Sequence, residues 1–289
     1  MFPLKILSWN IEHFNGSGGY DAESRPARLD RVDRVAEYIR NESPDIFGIS
    51  EVVGSTVYEK FTRKLSGYTF NITEGRQSQE ILVGVRSGLT AFFTQRNEFK
   101  RSNPYLRPGA LLTVRDDDVH LPILFTHLKS KPDPEGFGLR DAMFGKIFDL
   151  QKELDKAQRS FSGNPDDKSN FIVLGDMNTM GLDYYQSSHD IPQAHEISVV
   201  KSKFARRGLV AAAKTASVTW SNGTGSSYPP SDLDHVFASE TLQLSNVDAQ
   251  GNKVRVAGWA ELDDPAAQDD WIARFSDHAP LIFEVTGVA

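Results

Sequence analysis

Five segments of this chain place acidic, amide or imidazole side chains directly at the ends of runs that read as buried β-strands. Asn10 and Glu12 follow residues 4–9, Glu51 follows residues 45–50, and His127 closes the run 121–128. Asp176 and Asn178 follow residues 171–174, and Asp277 and His278 stand just before residues 281–285. Polar groups at strand ends are where a sheet can aim several side chains into one crevice. The residue types suit a specific chemistry. Hard divalent cations take oxygen ligands, commonly one or two carboxylates completed by substrate phosphate and water. Phosphodiester hydrolysis needs an activated water, a group that offsets developing charge, and a proton for the leaving oxygen. Carboxylates, carboxamides and two imidazoles cover those needs, whereas the chain has neither a P-loop nor a His-Glu-x-x-His segment.

The elements that must position these groups alternate between short apolar runs and helical patterns. Leu29, Val32, Val35, Ala36 and Ile39 repeat at helical spacing before Pro44, and Val57, Phe61 and Leu65 mark a second helix. Four strand-like runs follow at residues 81–85, 89–94, 110–114 and 121–128, then a long amphipathic helix over about 139–161. A further helix is expected over 196–207 and strands over 233–238 and 281–285. Gly-, Ser-, Asn- and Pro-rich stretches at 15–19, 133–138, 164–168 and 221–231 read as loops. Hairpin-like strands with intervening helices predict two packed sheets covered by helices. No composition break divides residues 1–289, so one domain is expected.

Composition narrows the classes. The 289 residues include 25% charged and 39% hydrophobic side chains and no cysteine, which excludes disulfides, cysteine–zinc sites and thiol nucleophiles. No apolar run reaches a membrane-spanning length, and the start Met1-Phe2-Pro3-Leu4-Lys5 does not read as a secretory leader, so a monomeric cytoplasmic protein is expected. The net charge of -7 argues against tight non-specific grip on a long duplex, which needs a basic stripe. It leaves phosphate chemistry open, because a bound metal supplies local positive charge.

Ser8-Trp9-Asn10, Ser50-Glu51, Thr126-His127-Leu128-Lys129-Ser130, Gly175-Asp176-Met177-Asn178 and Ser276-Asp277-His278-Ala279-Pro280-Leu281 resemble the successive motifs of the endonuclease/exonuclease/phosphatase family, in its order and across nearly the whole chain. The resemblance implies an α+β fold, a four-layer αββα sandwich with two mixed sheets face to face and helices outside. It implies a hydrolase using Mg2+ or Mn2+, with Glu51 as principal metal ligand and Asn10 and Asp277 beside it. Asp176 and Asn178 would position water and phosphate. His278 would contact the phosphate, oriented by Asp234 of Asp232-Leu233-Asp234-His235-Val236. In the deoxyribonuclease I branch a glutamate holds the histidine of the Thr-His-Leu segment, which implies that Glu80 orients His127 and that His127 assists the leaving oxygen. Departures are Glu12, where apurinic-site enzymes carry aspartate, and His235, where many members carry tyrosine or arginine.

These residues imply a nuclease acting on DNA or RNA. The alternatives are a phosphatase or phosphodiesterase for a small or lipid-linked phosphate, and a non-catalytic binding protein. Bland roles are expected for Trp9 (core), for His13, His120, His189, His195 and His235 (structural), for Asp116-Asp117-Asp118 (a hairpin turn), and for Asp263-Asp264 and Asp269-Asp270 (solvated loop). Lys129 and Lys131 divide evenly between phosphate contact and plain exposure. Arg140 could face the site or cap an acidic neighbour.

Overall fold

Alternating apolar runs become strands here because each must bury one face between sheets and the other under helices. The computed structural model describes residues 2–15, 30–100, 102–185 and 188–288, so Leu29 and part of the expected loop 15–19 lie outside the described residues. In chain order the elements are β1 (Leu4–Asn15), α1 (Arg31–Glu42), β2 (Ile46–Val53), α2 (Ser55–Lys64), β3 (Tyr68–Ile72), β4 (Glu80–Arg86), β5 (Thr90–Arg96), β6 (Gly109–Asp116), β7 (Val119–His127) and α3 (Pro134–Ser162). They continue with β8 (Ile172–Asp176), α4 (Gln193–Ala205), β9 (Leu209–Ala211), β10 (Asp234–Ser239), β11 (Leu242–Leu244), β12 (Val254–Val256), α5 (Pro265–Arg274) and β13 (Leu281–Val288).

One sheet runs β11-β13-β1-β2-β4-β3, with β12 also on β13, and the other runs β5-β6-β7-β8-β10-β9. Each sheet has one parallel pair at its centre, β1 with β2 and β7 with β8, flanked by antiparallel neighbours. Ile6, Ile46, Val83, Ile123, Leu174 and Phe283 pack between the two sheets. A second apolar layer joins Leu7, Phe47 and Leu82 to Val35, Ile39 and Phe61 of α1 and α2, and a third joins Leu124 and Val173 to Ile147 and Phe204 of α3 and α4. The result is the αββα order of layers that the motifs imply. Among the described residues no helix is long and apolar enough to cross a membrane.

Several local expectations are corrected. The stretch 133–138 is not a loop: Asp133 accepts from the Gly136 amide at 2.6 Å and Pro134 opens α3, a capping arrangement whose two nearby glycines masked the helix start. Asp263 is exposed loop charge as expected, whereas Asp264 caps α5 and Asp269 and Asp270 lie on it. Strand β3 escaped notice because Tyr68–Ile72 is a half-buried edge strand with no clean alternation. Asp117 and Asp118 do form the β6–β7 turn, with Asp117 at φ 49.

Candidate active site

Parallel pairing puts the C-terminal ends of β1 and β2 on one edge of their sheet, and those of β7 and β8 on the facing edge of the other. Register then decides which side chains are neighbours. His127 on β7 and Asp234 on β10 both pair across to Asp176 on β8. Asn10 pairs with Ser50, and β13 runs antiparallel to β1, so its leading residues Asp277 and His278 arrive at the same edge. Trp9 anchors that arrival from the core, donating its Nε1–H to the His278 carbonyl at 2.8 Å.

Two backbone irregularities aim the groups inward. At Glu51 three residues of β1 oppose one of β2, and Glu51 itself sits at φ 64, a bulge of the kind that re-aims a side chain beside a site. Near the end of β8, Gly175 at φ 125 leaves no room for a side chain, since a Cβ there would stand 2.2 Å from the Thr126 carbonyl oxygen. Asn178, at φ 50, turns back so that its amide N–H donates to Asp176 Oδ1 at 2.9 Å and its Nδ2 to Asp176 Oδ2 at 3.0 Å.

The expected residues Asn10, Glu51, His127, Asp176, Asn178, Asp234, Asp277 and His278 meet in this one cleft. Asn10 Nδ2 donates to Glu51 Oε1 at 3.1 Å and to Asp176 Oδ2 at 2.9 Å, tying the two sheets together. His278 Nδ1 lies 2.8 Å from Asp234 Oδ2, and its Nε2 points back to within 3.9 Å of Asp176 Oδ2. Burial alone would strip the His278 proton, but Asp234 and then Asp176 overturn that and hold its pKa well above the ordinary histidine value. The same burial pushes the Asp176 carboxyl up to about 7, with His278 opposing the rise. Asp277 is raised by burial too; its Oδ2 accepts from Trp220 Nε1 at 2.8 Å.

Glu80 does not orient His127. Its Oε2 accepts from Thr73 Oγ1 and from Gln77 Nε2, both at 2.6 Å, on the far side of the segment that carries it. His127 Nδ1 is buried with no hydrogen-bond partner, and burial, then Arg107, pull its pKa well below the ordinary value.

The neighbour of Glu80 reaches the carboxylate cluster instead, without a hydrogen bond to His127 Nδ1. Gln79 donates Nε2 to Glu51 Oε2 and accepts from Arg107, a partly buried guanidinium whose field reaches Glu51 and Asp176. Neither Gln79 nor Arg107 was singled out from sequence, although Gln79 stands one position before Glu80, where β4 begins. His13, expected to be incidental, donates its backbone N–H to Glu51 Oε2 at 2.9 Å. His235 keeps its structural role, its Nε2 lying 2.8 Å from Thr179 Oγ1. Arg140 caps an acidic neighbour instead of facing the cleft: it is fully buried, meets Glu196 through Nε and Nη2 at 3.0 Å each, and donates to the carbonyls of Lys131 at 2.7 Å and Gly181 at 2.8 Å. It thereby braces the loops that follow His127 and Asn178.

Two triads could hold a cation, Glu51–His127–Asp176 and Asp176–Asp234–His278, each with ligand atoms within 4.8 Å of one another. Asp277 joins neither. In the first triad the Asn10 amide nitrogen bridges both carboxylates while Asn10 Oδ1 is buried without a partner. Rotating that amide would turn an oxygen toward the carboxylates, so the residues present fit a hard divalent ion.

Comparisons place the geometry among known proteins. No curated protein sequence matches the chain. A truncated TDP2 from Caenorhabditis elegans superposes with TM-score 0.62 at 19% identity, covering 99% of this chain and 98% of that one. TDP2 from D. rerio complexed with a single-strand DNA product gives 0.65 at 14% identity, covering 99% and 100%. A mannosyl-6-phosphatase from Bacteroides thetaiotaomicron gives 0.60 at 16% identity, covering 98% and 100%. At such identities these likenesses speak to the fold. The family model for Endonuclease/Exonuclease/phosphatase proteins matches residues 7–278, from the first strand to His278 itself, and the chain belongs to that family.

Proposed function

We propose that this protein is a metal-dependent phosphoesterase that hydrolyses phosphodiester bonds in DNA or RNA, with Mg2+ or Mn2+ as its ion. The observation that carries the reading is the buried His278–Asp234 pair set across from Asp176. It keeps one imidazole protonated near neutrality, with its free nitrogen turned into a cleft lined by carboxylates. An isolated structural histidine has no need of three acidic neighbours.

Each residue then has a task that its surroundings permit. Glu51, Asn10 and Asp176 would hold the ion. When bound, it supplies Lewis-acid polarisation of a phosphoryl oxygen and offsets negative charge. Asp176, with its orientation fixed by Asn178, would position the attacking water beside the ion. His278 donates from Nε2 to a phosphoryl oxygen and is the group able to supply a proton to the departing one. Asp234 holds the proton on Nδ1 and so keeps Nε2–H aimed at substrate. Arg107 adds a second cation toward the same anion.

A nucleic-acid substrate is supported by the structural likeness to a TDP2 solved with a DNA product. The second reading is a small phosphate ester. It is supported by the likeness to a mannosyl-6-phosphatase and by a cavity of about 370 Å3 in the loop after Trp220, lined by residues that include Ser221, Thr224, Ser226 and Tyr228. Side-by-side turnover of a plasmid, a single-stranded oligonucleotide, an RNA, bis-p-nitrophenyl phosphate and a hexose phosphate, with Mg2+, Mn2+ or EDTA, separates the two. Release from the hexose phosphate with none from any diester would overturn the nuclease reading.

A further inference from the structure

The two imidazoles of the cleft are held in opposite ways. His278 has a carboxylate on Nδ1, 2.8 Å away, which locks its tautomer. His127 has nothing on Nδ1, although the ring is 3% exposed, and its Nε2 faces Glu51 Oε1 at 3.5 Å and Asp176 Oδ2 at 3.6 Å. Those two separations are too long for good hydrogen bonds to a ring nitrogen, which run about 2.7–3.2 Å. They match a different geometry. Donor atoms bound to one ion at about 2.1 Å stand roughly 3.0–3.5 Å apart, along the edges of an octahedron or tetrahedron. Glu51 Oε1 and Asp176 Oδ2 are also the two oxygens that the Asn10 amide bridges, so Nε2 closes a set of donors around one point.

We propose that His127 is an inner-sphere ligand of the metal through Nε2, together with Glu51 and Asp176, and that this site therefore favours a first-row transition ion over Mg2+. The inference rests on the metal-dependent reading above and refines it. An all-oxygen set suits Mg2+, whereas an imidazole nitrogen adds affinity for Mn2+, Co2+ or Zn2+ and little for Mg2+. The position of Glu80 is consistent with this. Turned away to Thr73 and Gln77, it leaves Nδ1 without a carboxylate, so nothing on that side of the ring competes with an ion at Nε2.

Pulsed electron paramagnetic resonance of the Mn2+-loaded protein reads the bond directly. A coordinated imidazole imprints 14N modulation on the Mn2+ echo. The expected result is modulation in the wild type and in His278→Gln, and its loss in His127→Gln. In His127→Gln, Mn2+ affinity by titration should fall at least tenfold while Mg2+ affinity, by competition, changes less than threefold. The wild-type spectrum stands even if His127→Gln fails to fold. Mn2+ bound in a Glu51-dependent manner without 14N modulation would overturn the assignment of His127 and leave the metal site intact. Modulation that persists in a folded His127→Gln would overturn it equally. No Glu51-dependent binding of Mn2+ at all would instead remove the metal-dependent reading, and this inference with it.

Discussion

Replacing Arg140 by methionine should destabilise the protein and slow it at once, for one structural reason. The guanidinium is fully buried, pairs with a 6% exposed Glu196 through two hydrogen bonds of 3.0 Å, and also donates to the carbonyls of Lys131 and Gly181. Methionine fills much of the volume but leaves the Glu196 charge buried with only the Gly181 amide, at 2.6 Å, as a remaining donor. Removing one member of a buried ion pair costs about 3–5 kcal/mol. At about 2–4 °C per kcal/mol for large single domains, the melting temperature should fall by about 6–20 °C. The functional loss follows from what the clamp braces. Lys131 and Asn178 both hold left-handed backbone, at φ 86 and φ 50, in the loops that Arg140 joins, and relaxation of either loop would swing Asn178 away from Asp176. Differential scanning calorimetry, with kcat measured well below the variant's own transition, reads both effects. The double variant Arg140→Met/Glu196→Leu should recover at least about 1 kcal/mol relative to the sum of the single changes, because no lone charge remains buried. A folded Arg140→Met that melts within 3 °C of wild type would refute the reasoning.

His278→Ala and Asp176→Asn should each lower kcat on bis-p-nitrophenyl phosphate by at least about a hundredfold, the usual scale of acid–base and electrostatic contributions, when assayed well below each variant's own melting transition. Asp234→Asn should cost less than His278→Ala, because it disturbs the ring's orientation without deleting the ring; a larger loss on the same assay would refute that ranking. EDTA should abolish turnover and Mg2+ or Mn2+ restore it; full activity in EDTA contradicts the metal role. His235 supplies a test of stability against pH. Burial, then Lys214, holds its folded pKa well below the unfolded value of about 6.5, so its contribution is complete above pH 6.5 and is lost as pH falls toward the depressed folded value. The slope there should approach about 1.4 kcal/mol per pH unit, and urea unfolding of His235→Gln between pH 6.5 and 5 should show a shallower one.

Much of this arrangement was legible from strand ends alone. Asn10, Glu51, His127, Asp176 and His278 each follow or precede an apolar run, and period and position are local properties that a sequence displays. What could not be read is register and side-chain direction. Glu80 opens β4 and Gln79 stands one position before it, and one position reverses the face. At Glu51 three residues of β1 oppose one of β2, and two of β2 oppose one of β4, irregularities that are invisible until the strands are paired. Arg107 is a loop residue brought in by the β5–β6 connection, and nothing in Leu106-Arg107-Pro108 states where that connection passes. Asp264 and Asp269 read as solvated charge because a helix cap and a loop aspartate have the same local composition until the helix is seen.

The charge balance of the cleft explains why so many of these groups are shifted, and what they require. Glu51, Asp176, Asp234 and Asp277 are four carboxylates facing one imidazolium and one guanidinium, all on a protein of net charge -7. Burial and mutual repulsion raise Asp176 and Asp277, so the cleft resists its own full ionisation. A phosphodiester anion entering beside them would meet net repulsion. A divalent cation held by Glu51 and Asp176, as proposed, would reverse that balance locally. The same logic separates the two histidines. His278, between Asp234 and Asp176, is held cationic; His127, between Arg107 and the core, is held neutral. A cationic imidazole can hold an anion and deliver a proton, and a neutral one can offer a lone pair. Two copies of one residue type, placed on facing sheets, are thus assigned different work by their neighbours.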